Sequence, residues 1–116
     1  MSLAEAGHGA DCYLIAVAGA VDLAVVDRLS AAIERGDRRR LVLLDLSSCE
    51  FMDSSAIGML ILANLRMEKE GRHLGLLSPG VEVMRVLDMT GLADRNLVFA
   101  DERAARAALA RRDGET

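Results

Sequence analysis

The sequence predicts an α/β or α+β domain, and three features carry that expectation. Apolar runs rich in β-branched residues alternate with helix-period patterns along the chain. One run, residues 41–46 (Leu-Val-Leu-Leu-Asp-Leu), is almost continuously apolar, as suits a central strand buried on both faces. The chain has 116 residues, 52% of them hydrophobic, which is enough for one core and one domain.

Taken in order, residues 12–18 (Cys-Tyr-Leu-Ile-Ala-Val-Ala) read as a strand that Gly19 ends. Asp22 then occupies an N-cap position ahead of Leu23, Val26, Leu29 and Ile33, which recur near helical spacing. Gly36 closes that helix, and the charged residues 37–40 lead out of it. The strand at 41–46 is followed by a short polar connection over 47–50, then Phe51 and Met52. Asp53-Ser54-Ser55 opens a helix whose pattern runs from Ala56 to Glu70, with Ile57, Leu60, Ile61 and Leu65 as its inner stripe and Gly71 at C′. Residues 74–77 read as a short strand. Ser78-Pro79 reads as a cap and first helical turn, starting a helix through about Met89 that Gly91 ends. Residues 97–99 suit an edge strand, and Asp101 caps a last, Ala/Arg-rich helix. The expected organisation is a single domain over 1–116, with 1–9 and 112–116 frayed.

Composition excludes several function classes. Aromatics are 3% with no Trp, so the platforms on which single-stranded nucleic acid stacks are nearly absent. A net charge of -4 opposes binding to a phosphate backbone. The cluster Arg38, Arg39, Arg40 is flanked by Glu34 and Asp37 and reads as the solvated end of a connection. Cys12 and Cys49 have no metal-ligand spacing and suit buried, small hydrophobes. No basic start precedes an apolar stretch in residues 1–9, and no run approaches the roughly 20 apolar residues of a membrane helix. The expectation is a cytoplasmic, reduced protein with no metal or cofactor, no direct nucleic-acid contact and no membrane contact. Catalysis also lacks equipment. The two histidines, His8 and His73, are remote in sequence from the serines at 54 and 55, and neither Gly-x-Ser-x-Gly nor Gly-x-x-x-x-Gly-Lys-Ser occurs.

The informative stretch is 45–58, where a buried strand delivers the chain to Asp53-Ser54-Ser55 and a helix begins. The plain reading is three capping residues for the unpaired N–H groups of the first turn. The same physics makes a switch. A helix start favours an added anion, and a phosphoserine brings roughly -1.5 to -2 charges at pH 7. A phosphate on Ser54 would therefore spare the fold and repel a partner docked over the helix start, with Asp53 adding like charge.

Four segments in order carry a resemblance to one family. Phe51-Met52-Asp53-Ser54-Ser55-Ala56-Ile57-Gly58 resembles the phosphorylation segment of anti-sigma factor antagonists, small proteins of the STAS family. Gly19-Ala20-Val21-Asp22 is similar to that family's Gly-x-aliphatic-Asp turn. Residues 41–47 are similar to its central strand, and Ser78-Pro79 with Val86-Leu87-Asp88-Met89-Thr90-Gly91-Leu92 to its third helix and terminating turn. The resemblance implies the STAS fold: a mixed sheet of four or five strands with about four helices packed mainly on one face. It implies that Ser54 is phosphorylated, with Ser55 the alternative acceptor, by an anti-sigma factor serine kinase of GHKL-type ATPase fold. A PP2C-type phosphatase would restore the free serine. Binding of the unphosphorylated form to the kinase would release a sigma factor. The implied partner surface is Asp22, Asp53, Ser54, Ser55 and Ala56, to which Met52 and Met59 are added as methionines beside Ser54, on a monomer or weak dimer. Ala56 departs from the pattern, which carries Gly there, and its Cβ is expected beside the docking surface. The methionines allow two readings, gap-filling in an aromatic-poor core or an adaptable interface. The rival role is a STAS scaffold, either in a stress-sensing complex or as the accessory subunit of an ABC-type lipid transporter.

Overall fold

A computed structural model describes residues 1–95 and 97–114. Five strands, β1 (Ser2–Gly7), β2 (Cys12–Val21), β3 (Leu41–Met52), β4 (His73–Leu77) and β5 (Val98–Phe99), form one sheet in the order β1-β2-β3-β4-β5. β1 runs antiparallel to β2 and every other pair is parallel, so the sheet is mixed as expected. The helices are α1 (Val26–Arg35), α2 (Ser54–Lys69), α3 (Val81–Thr90) and α4 (Glu102–Gly114).

The pleat of β3 sorts the core into two layers. Val42, Leu44 and Leu46 face a cluster with Leu29 and Ile33 of α1, Ile57, Leu60 and Met67 of α2, and Val83 and Leu87 of α3. Leu41 and Leu43 point the other way, to Ala105 and Leu109 of α4. Three helices thus share one face and one covers the other, each buried Leu contributing roughly 1.5–3 kcal/mol. This is why residues 41–46 read as apolar without alternation.

Four expectations need correction. Residues 1–9 are not all frayed: Ser2–Gly7 pairs with β2 from Ser2↔Ala18 to Gly7↔Tyr13. Its Ala/Glu-rich sequence gives little strand signal, but Glu5 accepts both an Arg35 fork at 2.7 Å and the Tyr13 hydroxyl at 2.7 Å. At the other terminus the α4 backbone continues to Gly114, while residues 115–116 lie outside the described residues. Second, β2 does not stop at Gly19. That glycine takes φ 86° at an irregularity, and pairing with β3 continues to Val21↔Met52. Third, the polar stretch 47–50 is strand, held by β2 through its backbone while Ser47, Ser48 and Glu50 face solvent. Fourth, Ser78 is not a helix cap. Its amide donates to Phe99 O at 3.0 Å and its hydroxyl to Ala100 O, which ties the end of β4 to the chain after β5. Gly80 takes the N-cap position of α3 with no side-chain cap.

Helix ends were more legible. Gly71 follows α2 with φ 73°, a conformation that favours glycine. Asp101 caps α4 by accepting from Ala104 N at 2.8 Å.

β4 pairs only as far as Asp45↔Leu77, whereas β2 and β3 run together to Val21↔Met52. At roughly 3.3 Å per residue, this two-stranded extension carries the start of α2 about 20 Å beyond the end of β4.

Candidate functional site

The tip of that extension gathers two chain segments. Asp53 N donates to Val21 O at 3.1 Å, continuing the ladder by one residue, and sets Asp22 beside Asp53. Asp53 is extended (φ -90°, ψ -179°) and is the N-cap of α2. Its Oδ1 accepts from Ala56 N at 3.0 Å and from the Ser55 hydroxyl at 2.5 Å, and its Oδ2 accepts from Leu23 N at 3.0 Å. One carboxylate therefore closes the first turn of α2 and pins the β2–α1 connection to it. The Ser55 hydroxyl, then the Ala56 and Leu23 amides, hold the Asp53 carboxyl below its usual range.

The two serines differ. Ser55 is half-buried and commits its hydroxyl to Asp53. Ser54 is exposed, and among the described residues no hydrogen bond engages its hydroxyl. The first turn of α2 contains no acidic residue, so Asp53 alone offsets its dipole.

Asp22 is exposed, accepts from Ala24 N through Oδ1 at 3.0 Å, and receives Val25 N and Val26 N on its carbonyl. It organises the turn before α1, and the helix itself begins only at Val26. Leu23, which the spacing assigns to the inner stripe of α1, therefore lies outside the helix and is 74% exposed. Met59 is half-buried and lines a groove of about 470 Å³ with Ser30, Ser55, Gly58, Leu62, Ala63 and Arg66.

Two expected surface residues are not on the surface. Met52 is the last inward-facing residue of β3 and is 1% exposed. Ala56 is fully buried with Ile57 and Leu60 on the inner side of α2, so its Cβ packs against the core and not beside a docking surface. Conversely, sequence reasoning missed Leu23 and Leu62, both strongly exposed. Leu62 carries no signal of its own, because α2 is apolar on both sides. Leu65, expected inside, is 39% exposed.

Other chemistry is remote from this tip. His73 pairs with Leu41, at the far end of β3 from Ser54, and His8 contacts Glu102 at 2.8 Å. Among the described residues no group of three His, Cys, Asp or Glu side chains could hold a metal ion, and no helix is long and apolar enough to cross a membrane. Cys12 and Cys49 are buried free thiols, and burial pushes both up from the ordinary thiol value.

Comparison with known proteins places this geometry. No curated protein matches the sequence. An anti-sigma factor antagonist from Mycobacterium paratuberculosis superposes with TM-score 0.81 at 23% identity, covering 93% of this chain and 92% of that one. The Bacillus cell fate determinant SpoIIAA in its phosphorylated form gives 0.72 at 20% identity over 93% and 99% of the two chains. The murine Slc26a9 anion transporter gives 0.75 at 18% identity, over 91% of this chain but 19% of the transporter. At these identities the likeness is one of fold, and that fold serves both small regulators and a domain of a transporter. The family model for the STAS domain matches residues 4–105, nearly the whole chain, and on that match this protein belongs to the STAS domain family.

Proposed function

We propose that the protein is an anti-sigma factor antagonist whose partner contact is ended by phosphorylation of Ser54. The observation that carries this reading is the difference between the serines. Ser54 presents a free, exposed hydroxyl at the start of α2, whereas the Ser55 hydroxyl is held by Asp53. In the transfer, the Ser54 oxygen takes the γ-phosphoryl group of ATP, its proton passes to the kinase, and ADP leaves. The product dianion sits at a helix start, where backbone N–H groups favour it, so folding changes little. A partner resting on Asp22, Leu23, Asp53 and the Met59–Leu62 groove would instead meet a large hydrated anion beside two carboxylates.

The partner that the family resemblance implies is an anti-sigma factor serine kinase of GHKL-type fold, with a PP2C-type phosphatase acting on the modified form. The protein itself acts by binding and not as an enzyme. The similar structures, an anti-sigma factor antagonist and SpoIIAA in its phosphorylated form, support the role.

Two measurements test it. Intact-mass spectrometry of the protein from its own cells, with fragmentation across 51–58, should find phosphate on Ser54. Phosphate on Ser55 would move the acceptor, and none under any condition would favour a scaffold or transporter-accessory role. In titrations with the kinase, Ser54→Ala should bind as the wild type does but resist phosphorylation, and Ser54→Asp should bind about 1–3 kcal/mol more weakly. Equal affinity for Ser54→Asp and wild type would sink the electrostatic switch.

A further inference from the structure

We propose that the outward face of α3 is a self-association surface, on which a second copy of this chain docks antiparallel about a two-fold axis. α3 buries only Val83 and Leu87. On the opposite side, Val81, Met84, Arg85, Asp88 and Met89 share one face at helical spacing. With Pro79 they line a depression of about 490 Å³. Val81 is 77% and Met89 80% exposed, the two most exposed large apolar side chains among the described residues.

The charge pattern selects the occupant. Residues 84–89 read Met-Arg-Val-Leu-Asp-Met, a sequence that is symmetric in its apolar members and opposite in its charges. An antiparallel copy whose axis passes between Arg85 and Asp88 sets Arg85 against the partner's Asp88, twice. It also leaves Met84 on one flank of the contact and Met89 on the other, each beside the same methionine of the second copy. Such a contact is isologous, each patch being complementary to itself. Centring the axis on Arg85 would oppose like charges, so register is fixed by the pair. A foreign ligand would need no such symmetry. Among the described residues Arg85 is tied only to Glu82, at 3.4 Å across an exposed pair worth little, and remains able to reach a partner. The thioethers supply adaptable, polarizable contacts at both ends.

One helix face buries less than the roughly 1,200 Å² of a stable interface, so the dimer is weak and concentration-dependent. It is independent of the reading given to Ser54.

The test is sedimentation equilibrium of the full chain from about 10 μM to about 1 mM, the range in which contacts of this size associate. The wild type should show reversible dimerisation. Arg85→Asp and Asp88→Arg should each weaken it about tenfold, because two attractive pairs become repulsive, and R85D/D88R should return to within about threefold of wild type. Met89→Asp, at a solvent-exposed position that folding does not use, should abolish it independently of the charge swap. A wild type that stays monomeric throughout overturns the proposal. So does a dimer indifferent to all four variants, or one that Leu62→Asp dissolves while the α3 variants leave it intact.

Discussion

The starts of α2 and α3 look alike in sequence and behave differently in the structure. Each follows a strand of the same parallel set, and each is preceded by residues suited to capping, Asp53-Ser54-Ser55 in one case and Ser78-Pro79 in the other. At α2 the carboxylate of Asp53 turns inward on its own helix and sideways to Leu23 N. At α3 the serine turns away from the helix, and Gly80 caps with backbone alone. The difference lies in what the preceding strand has left to pair. β3 ends beside β2 with its ladder complete, so its last polar side chain is free to serve the helix. β4 ends beside β5, and Ser78 is used to fasten the two. The first arrangement leaves a serine hydroxyl unengaged at a capped helix start, and the second leaves none.

The strongest way to break the contrast is to loosen the platform under Ser54. Leu60 is fully buried between α2 and the sheet, and Leu60→Ala should cost about 2–5 kcal/mol in chemical denaturation. If the buried face of α2 holds the helix in place without a partner, affinity for the proposed kinase, measured well below the unfolding transition, should stay near wild type. A large affinity loss without unfolding would mean that α2 is held in place by the partner.

Asp53 comes next, because it serves two elements at once. Asp53→Ala should lower Tm by several degrees and also loosen the β2–α1 connection, seen as faster amide exchange at Leu23 and Ala56. The pH dependence has a definite sign. The folded-state pKa is depressed, so the contribution is fully present above the unfolded value and is lost as pH falls through the lower, folded value. Asp53→Asn should therefore be less stable at neutral pH and converge on wild type in acid. Parallel curves down to the lowest pH would contradict the assigned bonds.

How much of this was legible beforehand follows from the same contrast. The alternation of strand and helix segments, the two-sided burial of β3 and the capping role of Asp53 are local or periodic properties, and the residue types declare them, whereas the mixed sheet is implied only by the family resemblance. Pairing between distant segments is not declared. Ser47, Ser48 and Glu50 are polar enough to read as loop and become strand only because β2 lies alongside. The same partner pulls Met52 inward and delays α1 to Val26, which exposes Leu23. Ala56 lies inside and not beside the docking surface, which a motif does not declare: it gives the order of residues but not the angle at which each leaves the helix. Leu62 could not be found at all, since the middle turns of α2, residues 56–63, hold no charged or polar side chain to mark an outer side.

Ser78 offers a finer test, since it combines a hydrogen bond with a left-handed backbone at φ 50°. Ser78→Ala loses the bond to Ala100 and keeps the unfavourable conformation, for a cost of about 1 kcal/mol. Ser78→Gly loses the same bond but relieves the backbone, so it should be about 1 kcal/mol more stable than Ser78→Ala. The reverse order in thermal melts would mean that the left-handed backbone at 78 carries no strain, and Ser78→Ala at wild-type stability would mean that the hydroxyl is not what fastens β4 to β5.

The smallest effect is also the most direct, because it gives α3 what α2 already has. Gly80 is exposed, adopts φ -70° and ψ 176°, and would place a Cβ in open space. Those angles suit an L-residue at an N-cap, so a carboxylate there can accept from the free amides of the first turn without strain. Replacing glycine also reduces the freedom of the unfolded chain. Gly80→Asp should therefore stabilise the protein by about 0.5–1 kcal/mol. Gly80→Ala should give the entropic part alone, and the gap between the two variants isolates the cap. If Asp gains nothing over Ala, the amides at the start of α3 are already satisfied, and the difference between the two helix starts is one of position in the sheet and not of capping.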